Sequence, residues 1–203
     1  MRLLEALTQL KKINMPVFST NDAAAMLGKS RISTSQMLLR LAASNHLMSL
    51  KKGLWGFKSK LEPLMLPSYL VSPFPCYISL QSALYFHGMI SQIPQVLYAV
   101  SLGRTRRYHT PLVDVSIHHI DVGFFNGYVI DKQSSVKMAT PEKALLDVLY
   151  LSDTRTKLFH SLPEVDLPPH FKVKQALKMI DTITSQKKRT LVLERFQKYV
   201  SIA

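Results

Sequence analysis

Lys29-Ser-Arg-Ile-Ser-Thr-Ser-Gln-Met-Leu-Leu-Arg-Leu-Ala-Ala-Ser-Asn45, preceded by Asp22-Ala-Ala-Ala-Met-Leu-Gly28 and followed by Leu47-Met-Ser-Leu-Lys-Lys-Gly-Leu-Trp-Gly-Phe57, decides the reading of the first sixty residues. Asp22–Leu27 reads as a short helix, capped by Thr20 or Asn21 and ended by Gly28. A turn, Gly28-Lys-Ser-Arg-Ile, leads to a longer helix from about Ser33 to Ser44, where Asn45 takes the left-handed position. Leu47–Leu50, Lys51-Lys52-Gly53 and Leu54–Phe57 then read as strand, tight basic turn and strand. Upstream, the apolar positions 3, 4, 7, 10 and 13 make one helical stripe over Arg2–Ile13, and Met15–Ser19 is short and extended. Helix, helix, turn, helix and hairpin in this order predict a winged helix-turn-helix.

Periodicity sorts the longer helix. Thr34, Leu38, Leu41 and Ala42 share the face expected to meet the core, while Ser33, Gln36, Arg40 and Ala43 share the opposite one. Lys29, Ser30 and Arg31 stand at the helix start, where free N–H groups and the dipole favour phosphate. Gln36 has the chemistry to pair bidentately with adenine, and Arg40 with guanine or phosphate. Lys51 and Lys52 suit phosphate or minor-groove contact from the hairpin tip. Each feature also has a plainer reading. Ser33 with Gln36 fits a capping box that ties Gln36 to the backbone, Lys-Lys-Gly is a common solvated tip, and winged helices also dock proteins. The coincidence of polar face, basic approach and basic tip favours DNA.

Composition agrees with a polyanionic partner. The 203 residues carry 26 Lys and Arg against 13 Asp and Glu, a formal charge of +13, and the sequence pI is about 9.9. The excess is uneven: residues 1–60 hold ten basic and two acidic side chains. With 47% hydrophobic residues the chain is no disordered polyelectrolyte. Its single Cys76 excludes a disulfide framework and a multi-cysteine zinc site. No apolar run is long enough to span a membrane, and Met1–Asn14 lacks the pattern of a signal peptide, so a cytoplasmic setting is expected.

Four prolines between Glu62 and Cys76 predict an extended connector over 61–76 that separates domain 1–60 from domain 77–203. The second domain is expected to be α+β, a mixed unit with a small, mainly antiparallel sheet. Tyr77–Gly88 opens it as a helix capped near Ser79. Strands are expected at Val96–Leu102, Val113–His118, Gly127–Ile130 and Val136–Met138. Thr140-Pro-Glu-Lys starts a helix that runs to Tyr150, with Thr140 as cap and Pro141 at its first position. Two amphipathic helices, Phe171–Thr184 and Lys188–Val200, close the chain. Gly103-Arg-Thr-Arg-Arg107 puts Arg104, Arg106 and Arg107 on one turn, either a solvated loop or a second polyanion contact that, if both domains face DNA, makes the chain bivalent.

No reaction is indicated. His118 and His119 are adjacent and on a strand point to opposite faces, which argues against a metal shared with His109, Asp114 or Asp121. A restriction-type nuclease, the alternative function considered, needs a carboxylate–lysine pair on the strand after Asp114; Asp131-Lys132 and Glu142-Lys143 have the wrong spacing. Cys76 reads as inert. No cofactor is expected.

Tyr77-Ile-Ser-Leu-Gln-Ser-Ala-Leu-Tyr-Phe-His-Gly-Met-Ile-Ser-Gln-Ile-Pro94 resembles the start of the C-terminal domain of the AbiEi family, antitoxins and autorepressors of type IV toxin–antitoxin, or abortive-infection, systems. Ala139-Thr-Pro-Glu-Lys-Ala-Leu-Leu-Asp147 resembles the family's second signature. Gly53-Leu-Trp-Gly-Phe57 is similar to its wing ending, with Trp55 where Tyr is usual. The resemblance covers most of residues 1–160. It implies a non-enzymatic protein that binds inverted repeats in its own promoter and neutralises a nucleotidyltransferase-like toxin. The Pro-Glu-Lys start, with Asp147 in i,i+4 reach of Lys143, is expected to serve fold or partner docking.

Overall fold

The computed structural model describes residues 2–152 and 164–200. Its N-terminal part contains α1 (Leu3–Lys11), β1 (Val17–Ser19), α2 (Thr20–Leu27), α3 (Arg31–Ala43), β2 (Leu47–Lys51) and β3 (Leu54–Phe57). The strands form an antiparallel sheet in the order β1-β3-β2. Two helix starts differ from the sequence reading. α2 is capped by Ser19, not by Thr20 or Asn21: its hydroxyl accepts from Asp22 N at 3.1 Å, and Asp22 accepts from Ser19 N at 2.8 Å. Thr20 is used elsewhere, its buried hydroxyl accepting from the Trp55 indole at 3.0 Å. α3 starts at Arg31 because Ser30, and not Ser33, is the cap; its Oγ accepts from Ser33 N at 3.3 Å. Gln36 is therefore outside any capping box. Asn45 takes the left-handed conformation at φ +61°, as expected.

The small sheet is covered on both faces. Phe18, Leu47, Trp55 and Phe57 pack with Leu7, Leu10, Leu38 and Leu41 of the helices. Val17 and Leu50 face away and join the larger core of the following residues. A bulge between Ser49 and Lys51 sets Lys51 opposite Leu54, on that second face; strict alternation would have left it beside Ser49. Gly53 turns the hairpin at φ +79°.

Residues 61–76 are not an extended connector. They form a short 3-10 turn, Pro63–Met65, and helix α4 (Leu66–Val71), whose Leu66, Pro67, Leu70 and Val71 are buried. Proline sits in the first turn of α4, where its missing N–H costs nothing. Apolar spacing overrode the proline count.

Beyond α4 the fold is mixed α+β: β4 (Cys76–Ile78), α5 (Leu80–Phe86), β5 (Val96–Ser101), β6 (Arg106–Tyr108), β7 (Asp114–His119), β8 (Tyr128–Ile130), β9 (Lys137–Ala139), α6 (Pro141–Leu151), α7 (Val173–Asp181) and α8 (Gln186–Val200). The six strands order as β6-β7-β5-β4-β9-β8. The sheet is thus larger and more mixed than expected: β5–β7, its longest pairing, and β4–β9 are parallel, while β4–β5, β6–β7 and β8–β9 are antiparallel. α4 lies against the Cys76 side, where Ser68 meets the Cys76 sulfur at 3.7 Å. α5 and α6 cover the Tyr77 side.

α6 is buried along its whole length. Thr140 caps it, accepting from Lys143 N, with Pro141 first, as predicted. Lys143 Nζ lies 2.5 Å from Asp147 Oδ1, both side chains being 0% exposed. Asp147 Oδ2 accepts from Ser79 at 2.6 Å and from Tyr77 at 3.0 Å. The two sequence signatures thus meet in one polar cluster inside the core. Burial closes it to any docking partner, which corrects that half of the expectation for Lys143 and Asp147. Burial pushes the Lys143 amine down to about 8, against the pull of Asp147. It pushes the Asp147 carboxyl up against the opposing effects of Lys143, Ser79 and Tyr77. Gly127, at φ +72°, keeps the backbone clear of Met179 and of the Lys143 stem, which a Cβ would meet at 2.8 Å and 3.1 Å.

Candidate nucleic-acid interface

The core-facing side of α3 is the predicted one. Thr34, Leu38 and Leu41 are fully buried and Ala42 is half-buried. Ser33, Gln36, Arg40 and Ala43 are all exposed, so the opposite face is open along the helix. Two residues on it escaped the sequence reading. Ile32 is 76% and Leu39 57% exposed, and at 100° per residue both fall beside Gln36 and Ala43. Their signal was available: neither belongs to the buried stripe of Thr34, Leu38 and Leu41, so their hydrophobicity had no core to serve. The face is therefore half apolar.

The approach to α3 carries Lys29, half-buried, and Arg31, exposed. Ser30 is committed to its cap, its Oγ accepting from Ser33 N. Arg31 is inside the helix, one residue after the cap, so the turn between α2 and α3 shortens to Gly28-Lys29-Ser30. At the other end, Lys58 donates to Asn45 Oδ1 at 2.7 Å and ties the end of the hairpin to the end of α3.

The hairpin tip splits its two lysines. Lys52 is exposed. Lys51 turns inward: its Nζ donates to the Leu70 carbonyl of α4 at 2.7 Å and lies 5.8 Å from the centre of the Tyr108 ring. Partial burial and the nearby Arg106 charge lower its basicity. Lys51 is thus a clamp between the hairpin and the sheet unit, not a free cation at the tip.

Arg104, Arg106 and Arg107 do not share one turn. Only Arg104 is in the turn; Arg106 and Arg107 lie on β6, at the edge of the large sheet, and alternate across it. Arg106 follows Tyr108, 5.4 Å from its ring centre, on the same side as Lys51. Arg107 faces the other way and pairs with Asp114 at 3.0 Å. Asp114 also accepts from His109, and the hydrogen bond from Arg107, more than that from His109, holds its carboxyl below the usual range. Lys51 and Arg106 thus meet at the Tyr108 ring, Lys52 and Arg104 are exposed, and Arg107 is paired with Asp114.

The groups weighed for chemistry are dispersed. His118 is buried beside Ser116 and its basicity falls to about 4 through desolvation, whereas His119 is exposed and binds the Gly103 carbonyl. Asp121 accepts from Tyr150, and Glu142 accepts from Lys172 N at 2.7 Å. Cys76 is buried and its thiol pKa is raised by desolvation. Among the described residues no three His, Cys, Asp or Glu side chains converge, and no helix is long and apolar enough to cross a membrane. No protein-family model matches the chain, and no curated protein sequence matches it.

Proposed function

We propose that the chain is a sequence-specific DNA-binding protein that represses its own operon and acts as the antitoxin of a nucleotidyltransferase-like toxin. The observation that carries the DNA reading is the open face of α3: Ser33, Gln36, Arg40 and Ala43 exposed, framed by Lys29 and Arg31 before it and Lys52 on the neighbouring hairpin. The order helix, helix, hairpin supports reading residues 1–60 as a winged helix-turn-helix with α3 as recognition helix. In that reading Gln36, Arg40 and Ser33 face bases, Ile32 and Leu39 meet thymine methyls, and Lys29, Arg31 and Lys52 hold phosphates. Ser30 acts through its cap and Lys51 through its clamp. The antitoxin half rests on the resemblance of Tyr77–Pro94 and Ala139–Asp147 to the AbiEi family.

A mobility-shift titration on the DNA upstream of the chain's own gene tests the first half. Arg40→Ala is expected to weaken binding about 10- to 100-fold and to relax preference at one base step. Unchanged affinity overturns the assignment of α3. The exposure of Ile32 and Leu39 favours one second reading, a protein-docking α3. It predicts that Ile32→Ser with Leu39→Ser abolishes a protein complex and leaves DNA affinity intact. For the antitoxin half, co-expression of the chain with the nucleotidyltransferase-like product of an adjacent gene is expected to restore growth. Continued arrest by the toxin refutes it.

A further inference from the structure

We propose that the corner of the sheet unit formed by Phe74 and Arg104 is a binding site for single-stranded nucleic acid, with the Phe74 ring stacking one unpaired base and Arg104 and Arg106 holding the adjoining phosphates. Phe74 is 52% exposed, in the exposed stretch of residues 72–75 between α4 and β4, flanked by two prolines. Its ring rests on Gly103, where a Cβ would lie 3.0 Å from the ring. A Cβ there would crowd the ring, so glycine accommodates this close approach; its φ is not in the left-handed region. The chain thus spends a glycine on seating a large aromatic ring whose other half stays open to solvent.

The seat is fixed from three sides. Phe74 N donates to the Val71 carbonyl at 3.0 Å. Ser101 Oγ donates to the Pro75 carbonyl at 2.8 Å and accepts from Gly103 N at 3.0 Å. The His119 ring donates to the Gly103 carbonyl at 3.1 Å, and His119 N donates to Thr105 Oγ1 at 3.0 Å. The backbone on both sides of this contact is thus held in place, and Arg104 directly follows Gly103 in the chain. Among the described residues neither Arg104 nor Arg106 meets a carboxylate, whereas Arg107 does.

These parts name the partner. An aromatic face next to uncompensated guanidinium groups matches a strand that offers a base face and a phosphate one residue apart. A duplex offers phosphates but keeps its base faces stacked. An acidic peptide offers charge but nothing planar to lie on the ring. The site is made by Phe74, ahead of β4, with β6 and the turn before it, and uses none of the α3 residues assigned to the operator.

The test is fluorescence anisotropy with the full chain and labelled dT12, at 50 to 200 mM salt. Comparison ligands are a 12-residue abasic oligonucleotide, a 12-base-pair duplex and an oligoglutamate competitor. Phe74→Leu, which keeps a side chain on Gly103, is expected to weaken dT12 binding about tenfold and to leave the abasic strand unaffected. Arg104→Gln with Arg106→Gln is expected to weaken both and to reduce the salt slope by about 1.4. A Phe74→Trp chain is expected to show quenching by dT12 beyond that of Trp55. Equal binding of abasic strand and dT12, a duplex that depends on Phe74 in the same way, displacement by oligoglutamate at matched charge, or an unquenched Trp at position 74 each overturn the proposal. Should Phe74→Leu unfold early in a thermal melt, the exposed Arg104→Gln change and the Trp variant decide it. Loss of operator binding in Arg40→Ala with dT12 binding retained keeps the two sites distinct.

Discussion

Replacing Lys143 by Met isolates the physics of the buried cluster. The substitution keeps an unbranched stem against Phe124, whose ring centre lies 3.1 Å from Nζ, and removes only the charge and its hydrogen bond. Asp147 is then left 0% exposed with the Ser79 and Tyr77 hydroxyls as its remaining donors. Stranding one member of a buried pair costs about 3–5 kcal/mol, against a total of about 5–15 kcal/mol for a domain. With a urea m-value of about 2 kcal/mol/M, the unfolding midpoint should fall by about 2 M. Lys143→Met with Asp147→Leu removes both charges but strands the two hydroxyls, at about 1–3 kcal/mol each. The double variant should therefore be clearly more stable than the summed single losses. Adding Tyr77→Phe and Ser79→Ala makes the cluster wholly apolar and should recover most of the native stability. Urea unfolding followed by circular dichroism reads all four chains. A Lys143→Met loss below about 1 kcal/mol, or single losses that simply add in the double variant, refutes the reasoning.

That cluster also shows what the sequence can and cannot disclose. Lys143 and Asp147 were legible as an i,i+4 pair because helix geometry alone brings them together. That they are buried, and joined by Tyr77 of β4 and Ser79 just after it, some seventy residues away, is a fact of tertiary packing which no local pattern carries. The caps divide in the same way. Thr140 is readable, since Thr-Pro-Glu admits one start, whereas Thr20 and Asn21 read as equally good caps of α2 and the cap is Ser19, the Thr20 hydroxyl being taken by the distant Trp55 indole. On α3 the core stripe was legible and the bounds were not, for Ser30 and Ser33 are equally good caps until one is seen to bond. Lys51 was misjudged for a single physical reason: a bulge adds one residue to the strand and moves every later side chain to the other face. Prolines 63 and 67 misled because they were counted, when their place in the first turns of a 3-10 turn and of α4 is where proline fits.

The two hairpin lysines should therefore part company. Lys52→Ala is expected to weaken operator DNA and lower the salt slope by about 0.9 without changing stability, while Lys51→Ala is expected to cost about 1 kcal/mol in urea unfolding through the lost bond to Leu70; equal effects from both overturn the clamp. Acid stability gives the sharper check. His118, held at about 4 by burial against an ordinary 6.5, binds no proton in the folded chain between these values, while the unfolded chain does. Stability is then fully present above pH 6.5 and is lost as pH falls toward 4, by about 3 kcal/mol at the lower end. His118→Gln keeps a polar partner for Ser116 and cannot protonate. Its unfolding free energy, measured in urea from pH 4 to 7, should lack this share of the acid slope. A slope identical to that of the native chain would place the proton uptake elsewhere, because no group except the one replaced differs between the two proteins.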